Sequence, residues 1–127
     1  MTAATAQAQH DRRIDYIEFP STDLARTKDF YGSVFGWTFT DYGPAYTSFA
    51  DGRLTGGFFL TETSPKPAQG GALVVIYARD LEGVRDQVLA QGGRIVKEIY
   101  EFPGGRRFHF ADPSGNLLAV WSESAAG

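Results

Sequence analysis

The sequence predicts an α+β fold in which two βαβββ modules form a cupped mixed sheet. The first reason is the order of patterns, because a strand, a helix and three strands occur twice within 127 residues. The second is a shift of 57 positions, which places Asp23 on Asp80 at the start of each helical pattern. The third is a shorter match between residues 48–51 and residues 109–112. A chain of this length folds around one core, so we expect a single domain.

The first module is expected at residues 13–61. It opens with a strand, where apolar and polar residues alternate, and continues with a helix over residues 23–35. Thr22 or Asp23 is the expected N-cap, and Gly36 is placed to end the helix. The pair Asp51–Gly52 predicts a tight turn between the last two strands. The strands of this module are predicted at residues 13–20, 37–40, 45–50 and 54–61.

The second module is expected at residues 71–122, after a linker at residues 62–70 that is rich in proline and glycine. Its helix is predicted at residues 80–91, with Asp80 as the N-cap and Gly92 or Gly93 at its end. The strands of this module are predicted at residues 71–78, 94–99, 105–111 and 116–122. Residues 1–12 are expected to be a flexible N-terminal tail, and residues 123–127 a C-terminal tail.

Composition and charge narrow the possible partners. A net charge of -3 leaves no sustained basic surface for nucleic acid or anionic lipid, so we expect neither a nucleic acid nor a membrane partner. The absence of cysteine removes disulfides, thiolate metal sites and cysteine nucleophiles. The apolar runs are too short to span a bilayer, and the first eleven residues carry no apolar stretch typical of a signal peptide. We therefore expect a cytoplasmic protein.

Two segments of the chain carry a family resemblance. The first is an Asp-Leu pair that opens a helix ending in FYGSVFGW at residues 30–37, and the second is FADPSGNLLAVW at residues 110–121. Together with the repeat, they resemble the vicinal oxygen chelate superfamily, which includes glyoxalases, bleomycin resistance proteins and dioxygenases. The likeness covers residues 13–122. It implies that the two modules curl into a cup that binds ligands, and that the protein is a homodimer.

Strand alternation predicts which side chains face the cup. Ile17 and Phe19 are the more apolar set of the first strand and should pack on the helices, which leaves Tyr16 and Glu18 in the cup. The same reasoning applied to residues 105–111 places Arg107 and His109 there. The repeat adds Tyr46 and Ser48 at the corresponding positions. The family register implies a further inward set: Leu73, Val75, Tyr77, Leu117, Ala119 and Trp121.

The positions that hold a metal ion in relatives carry unsuitable residues here. The resemblance places those ligands on the first and last strands of each module, where a divalent ion needs oxygen or nitrogen donors. The corresponding residues are Tyr16 and Leu73 on the first strands, Ala119 on one last strand, and Phe58 or Gly56 on the other. None of them is a carboxylate or a histidine. We therefore expect no metal and no other cofactor.

The polar residues of the cup suggest proton-transfer chemistry. Glu18 is the candidate general base, because aromatic neighbours would desolvate its carboxylate. His109 is the candidate proton-transfer group, and we expect both to face one cavity. Arg107 is a candidate clamp for a ligand carboxylate or phosphate. Structural roles remain open for all three. Glu18 could pair with Arg107 or lie at the solvent-exposed rim of the cup, and His109 could be a buried histidine that is hydrogen-bonded to its neighbours. Arg107 could be solvated or paired with an acidic residue.

The leading hypothesis is a metal-independent protein that binds a small organic molecule in an aromatic cup. It would either sequester the ligand or transfer a proton with Glu18 and His109. One alternative is a metal-dependent lyase, isomerase or dioxygenase with non-standard ligands, and another is a non-enzymatic interaction subunit. The predicted ligand-binding residues are Tyr16, Tyr46, Ser48, Phe58, Tyr77, Arg107 and Trp121.

Overall fold

A computed structural model describes residues 7–63 and 71–123 of the chain. Each module contains a strand, a helix and three further strands in the predicted order, which confirms the α+β class and the two βαβββ modules. In chain order the elements are β1 (Tyr16–Ser21), α1 (Leu24–Phe35), β2 (Thr38–Asp41), β3 (Tyr46–Ala50), β4 (Thr55–Leu60), β5 (Val74–Tyr77), α2 (Leu81–Ala90), β6 (Arg94–Phe102), β7 (Gly105–Ala111) and β8 (Leu117–Glu123).

Both helices begin where the sequence predicts. The Asp23 carboxylate accepts the backbone N–H of Arg26 at 3.1 Å, and the Asp80 carboxylate accepts that of Gly83 at 3.0 Å. These bonds satisfy N–H groups that the first turn of a helix otherwise leaves without a partner. Helix α1 ends at Gly36, whose φ of 74° lies in the left-handed region that glycine adopts without strain.

The strands form two four-stranded mixed sheets with the same topology. Their orders are β1-β4-β3-β2 and β5-β8-β7-β6. In each sheet the first strand of the module runs parallel to the last, and the remaining neighbours are antiparallel. The helix between the first two strands of a module is the crossover connection, and it covers one face of the sheet.

The two modules share one aromatic core. Tyr31 of α1 packs on Phe58 of the first sheet at a centroid distance of 5.1 Å, and the adjacent Phe30 packs on Phe110 of the second sheet at 5.9 Å. Trp37 stacks between the rings of Tyr31 and Phe49. Helix α1 therefore contacts the helix-side faces of both sheets.

The termini of the domain differ slightly from the prediction. Strand β1 begins at Tyr16 and not at residue 13, because Ile14 is 80% exposed and has no place in the core. Residues Gln7–His10, within the predicted tail, form a short 3-10 helix. Strand β8 extends to Glu123, one residue beyond the predicted boundary. Most of the predicted linker, residues 64–70, and the chain ends at 1–6 and 124–127 lie outside the described residues.

In the part of the chain that the structure describes, neither α-helix is long and apolar enough to cross a bilayer.

Candidate functional site

Each sheet has an open face, which we define as the face turned away from the helices. On β1, Phe19 packs against the core while Tyr16 and Glu18 are exposed on the opposite side. On β3, Thr47 and Phe49 are buried, so Tyr46 and Ser48 lie on the open face.

A hydrogen-bonded chain on the open face of the first module ends at a carboxylate. The Tyr46 hydroxyl donates to Oε2 of Glu18 at 2.8 Å. Because Tyr46 has only one hydroxyl proton, the 2.6 Å bond between the two phenols requires Tyr16 to donate to Tyr46. The other carboxylate oxygen of Glu18 accepts no hydrogen bond from the described residues. We call Tyr16, Glu18 and Tyr46 the Glu18 cluster.

Gly57 allows this cluster to form. The register of the sheet places Gly57 of β4 between Glu18 of β1 and Ser48 of β3. A Cβ atom at position 57 would overlap the Tyr46 hydroxyl and would lie 2.8 Å from the Tyr16 hydroxyl. The two phenols therefore occupy the space that a side chain on the central strand would fill.

The surroundings of Tyr46 keep its hydroxyl protonated. Burial raises the pKa of Tyr46 well above its usual value of 10, and hydrogen bonds to Tyr16 and Glu18 raise this pKa further. All of these effects disfavour a phenolate beside a carboxylate. Tyr46 is thus a hydrogen-bond donor to the Glu18 carboxylate.

A second cluster lies on the open face of the other module, around Tyr100. Nε of Arg107 donates to the Tyr100 hydroxyl, and the same hydroxyl lies 2.9 Å from Nε2 of His109. Since Arg107 supplies a proton to the Tyr100 oxygen, the Tyr100 proton is free to point at His109. Lys97 lies over the Tyr100 ring, with Nζ 4.0 Å from the centroid. We call Lys97, Tyr100, Arg107 and His109 the Tyr100 cluster.

His109 is held in its neutral form. Burial lowers its pKa below the usual 6.5, and the positive charges of Arg107 and Lys97 lower it further. A neutral imidazole whose Nε2 accepts from Tyr100 carries its proton on Nδ1. His109 can therefore donate that proton to a ligand without being a cation.

Aromatic rings border the Tyr100 cluster. Trp121 makes edge contacts with Tyr77 at 5.1 Å and with Phe102 at 6.2 Å between centroids. Arg107 is the strand neighbour of Trp121, and its guanidinium lies 5.5 Å from the Phe102 ring. Flat apolar surface thus lies directly beside the cationic groups.

The prediction that Phe58 contributes to the cup is wrong. Phe58 is 0% exposed and stacks on Phe19 at 5.5 Å, on the helix side of the first sheet. The reason is the register, because Phe58 pairs with Phe19 in the parallel β1–β4 ladder and their side chains project to the same face. Phe59, the next residue, is 41% exposed and takes the open-face position.

The predicted site residues fall into two groups in the structure. Tyr16, Glu18, Tyr46 and Ser48 lie together, and Arg107 and His109 lie together near Tyr77 and Trp121. Among the described residues, no hydrogen bond or ring contact joins the Glu18 cluster to the Tyr100 cluster. That one cavity holds both Glu18 and His109 stays a prediction.

Three residues of the site were not predicted from the sequence. Gly57 carried a usable signal, since a glycine inside a strand often marks the close approach of another group. Tyr100 and Lys97 were harder to place, because β6 shifts register twice between Ile95 and Tyr100, which disrupts simple alternation.

The residues at the family's metal positions do not fit a divalent ion. Phe58 and Ala119 lack donor atoms, and the one hydroxyl in the set, on Tyr16, is hydrogen-bonded to Tyr46. Across residues 7–63 and 71–123, no three His, Asp or Glu side chains are grouped so as to hold an ion.

The class of protein follows from the two βαβββ modules and their sheet topology, and comparison with known families agrees. The chain belongs to the glyoxalase/bleomycin resistance protein/dioxygenase superfamily, whose family model matches residues 13–120.

Similar curated proteins include the anthracycline biosynthesis protein DauV of Streptomyces sp. strain C5, which is 32% identical over 124 residues. This match covers 84% of the chain and 45% of DauV. The putative glyoxylase CFP32 of Mycobacterium tuberculosis is 25% identical over 115 residues, with 84% of the chain and 44% of that protein covered. The chain therefore spans about half the length of these relatives.

Solved structures show the same fold. A glyoxalase/bleomycin resistance protein/dioxygenase family enzyme from Burkholderia phytofirmans superposes with a TM-score of 0.74 at 17% identity, covering 87% of this chain and 99% of that one. The fosfomycin resistance protein FosX from Mesorhizobium loti gives a TM-score of 0.73 at 14% identity, covering 90% and 94%. At these identities the likeness concerns the fold alone.

Proposed function

We propose that this protein binds a small organic molecule on its open faces and that Glu18 removes a proton from it. The observation that carries the proposal is the hydrogen-bonded chain from Tyr16 through Tyr46 to Glu18 above Gly57. It leaves one carboxylate oxygen of Glu18 without a donor among the described residues. That oxygen is available to a ligand.

The chemistry follows from the protonation states. Glu18 accepts a proton from an acidic C–H or O–H of the ligand, while Tyr46 stays protonated because its pKa is raised. When Glu18 gains the proton, it no longer attracts the Tyr46 hydroxyl as strongly. The phenol can then turn to a ligand oxygen on which negative charge develops. No metal is needed for this step.

His109 would supply the complementary group. Its pKa is lowered, so at neutral pH it donates through Nδ1 as a neutral imidazole. In this role it would hydrogen-bond the ligand, while the protonated Glu18 carboxyl returns the proton. Both functions require Glu18 and His109 to reach the same molecule.

A homodimer would satisfy that requirement. The contacts that join the two modules of one chain lie on the helix side and at strand ends, such as Phe30 with Phe110 and the amide of Asn116 with the Pro20 carbonyl. The open faces therefore lie on the outside of the chain, where Tyr16, Phe59 and Tyr77 are each at least 40% exposed. We propose that the first module's open face of one chain meets the second module's open face of another, with the ligand between them.

The test of catalysis uses phenylpyruvate, an aromatic oxo acid with an acidic C–H, as a probe. We expect the protein to accelerate deuterium exchange at its methylene in D2O, followed by NMR. Glu18→Gln should lower the exchange rate by about a hundredfold, in the usual range for a general base, with binding retained. The exposed Glu62→Gln is the matched control. Binding without any accelerated exchange would leave a binding protein and reject the proton transfer.

The test of the dimer exploits the absence of cysteine in the chain. Single-cysteine variants Ser48→Cys and Val75→Cys are mixed and treated with a short bismaleimide, since Val75 is 41% exposed on the second module. The proposed arrangement predicts a crosslinked heterodimer, while Arg53→Cys mixed with Val75→Cys should give none. A monomer in sedimentation analysis at all concentrations would reject the shared site.

The exposed side chains of Tyr16, Phe59 and Tyr77 support a second candidate function. The protein would be a non-enzymatic interaction subunit whose open faces bind another protein chain. The two candidates differ in what Glu18→Gln changes. In an interaction subunit, the variant alters association and leaves no exchange activity to lose.

A further inference from the structure

The Tyr100 cluster concentrates positive charge on one ring. Nζ of Lys97 lies 4.0 Å from the Tyr100 centroid, and the Arg107 guanidinium lies 5.4 Å from the same centroid. Arg107 also lies over Phe102. Cation–π contacts hold the two cations in place, but they do not neutralise them.

Nearby acidic side chains have other partners. Glu98 pairs with Arg85 of α2 at 2.6 Å, and Glu82 of α2 pairs with Arg106 at 2.8 Å, both on the helix side of the second sheet. On the open face, Glu123 accepts from the Tyr77 hydroxyl.

None of the ion pairs between described residues includes Lys97 or Arg107. Two cations thus share one face, and neither forms an ion pair with a carboxylate of the described residues.

The hydrogen bonds of the cluster leave several donor nitrogens without an acceptor among the described residues. Arg107 uses Nε for Tyr100, and its two Nη atoms have no acceptor among the described residues. His109 uses Nε2 for Tyr100, and in the tautomer that accepts the Tyr100 proton at Nε2 its own proton is on Nδ1. A planar guanidinium with both terminal nitrogens free matches the two oxygens of a carboxylate.

We propose that the Tyr100 cluster binds the carboxylate of an aromatic organic anion, with Arg107 and Lys97 as its cationic partners and His109 as a third donor. The ring of the anion would rest on the neighbouring aromatic surface of Phe102 and Trp121. This inference rests on the proposed function, because it names the class of molecule that the open faces bind. In a dimer, Glu18 of a second chain would add one carboxylate against two permanent cations, so an excess of positive charge would remain.

The test measures binding of benzoate by NMR titration of the full chain, with benzamide as the uncharged analogue. We expect saturable binding of benzoate that is about tenfold or more tighter than that of benzamide or inorganic phosphate. Arg107→Met should weaken benzoate binding about tenfold or more, as expected for loss of a charge-assisted hydrogen bond. Arg53→Met, an exposed arginine of the first module, is the matched control. Lys97→Met provides a second variant if Arg107→Met does not fold.

A second readout is the imidazole of His109. The charged and titratable groups around it are Lys97 and Tyr100 on β6 and Arg107 on its own strand, while its neighbour on β8 is Ala119. A bound anion offsets the two cations, so benzoate should raise the pKa of His109, and benzoate affinity should increase as the pH falls below 6.5 towards the lowered pKa of His109. A purely structural cluster would not show this coupling.

Three results would overturn the proposal: equal affinity for benzoate and benzamide, benzoate binding unchanged in Arg107→Met, or phosphate binding as tight as that of benzoate. Failure of the proposed function looks different. If Glu18 is not a base, Glu18→Gln leaves the phenylpyruvate exchange unchanged while benzoate still binds. If the anion site is wrong, exchange depends on Glu18 but benzoate does not compete with phenylpyruvate.

Discussion

The Tyr31 hydroxyl donates a 2.8 Å hydrogen bond to Oδ2 of Asp112, and this bond fastens the helix of the first module to the turn after β7 in the second. Tyr31 is fully buried and Asp112 is 4% exposed. Asp112 also accepts from the side-chain amide of Asn116 and from the backbone N–H groups of Ser114 and Asn116. Burial raises the pKa of Tyr31 well above its usual value, and the Asp112 charge raises it further, so the phenol remains a donor.

Removing this hydroxyl should destabilise the fold. In Tyr31→Phe, the buried Asp112 carboxylate loses one of its donors, and we expect the free energy of unfolding to fall by about 1–3 kcal/mol. Urea denaturation followed by fluorescence measures the change. Tyr42→Phe is the matched control, since Tyr42 is 65% exposed. Equal unfolding midpoints for the two variants would mean that the bond contributes nothing to the junction.

A methyl group at position 57 should disrupt the Glu18 cluster. In Gly57→Ala, the new Cβ overlaps the Tyr46 hydroxyl, so we expect both phenols to move away from Glu18. Separation of Tyr46 from Glu18 and Tyr16 removes the hydrogen bonds that help to raise its pKa. Ultraviolet titration of the tyrosines should therefore show the Tyr46 phenol ionising at a lower pH in the variant than in the unaltered chain. Gly32→Ala is the control, because its Cβ would meet no atom closer than 3.7 Å.

Truncation of two adjacent phenylalanines should have very different effects. Phe58→Ala removes a ring from the centre of the shared core, and we expect a loss of about 3–5 kcal/mol in the free energy of unfolding. Phe59→Ala removes a ring that is 41% exposed on the open face and should cost much less. Denaturation midpoints of the two variants are the measurement. Comparable losses would contradict the assignment of Phe58 to the helix side.

Acid should weaken the fold through His109. Its folded-state pKa lies below 6.5 because of burial and the nearby cations, so the unfolded chain binds its proton more readily. The contribution to stability is present above pH 6.5 and is lost as the pH falls through the folded-state pKa. His109→Gln should therefore change stability less between pH 7.5 and pH 5 than the unaltered chain does. His10→Gln, measured alongside, isolates the other histidine, and identical pH profiles for His109→Gln and the unaltered chain would refute the prediction.

The sequence allowed the fold to be predicted because its signals are local. Asp23 and Asp80 cap their helices through hydrogen bonds within three residues, and period-two alternation places Glu18 opposite Phe19 on the same strand. Such features depend on neighbours along the chain. They do not depend on how the two modules are arranged.

The site was predicted less completely because it depends on register between strands. The orientation of Phe58 follows from its pairing with Phe19 across a parallel ladder. The repeat offered alignments that end on Phe58 or Gly56, and both place position 58 on the opposite face, since a shift of two residues does not change the face. Tyr100 reaches Arg107 and His109 only because irregularities in β6 shift its position. Contacts of this kind join residues seven to nine positions apart on different strands, and single-strand periodicity does not determine them.

The adjacent glycines of β4 constrain how this site can change over evolution. A Cβ at Gly56 would overlap the Phe49 ring on the helix side, whereas one at Gly57 would overlap Tyr46 on the open face. Position 57 can therefore accept a larger residue only after Tyr46 has become smaller, while the reverse order passes through a disrupted intermediate. Positions 46 and 57 should therefore behave as an epistatic pair. Lineages that lose the Tyr46 phenol are the ones in which Gly57 is free to be replaced.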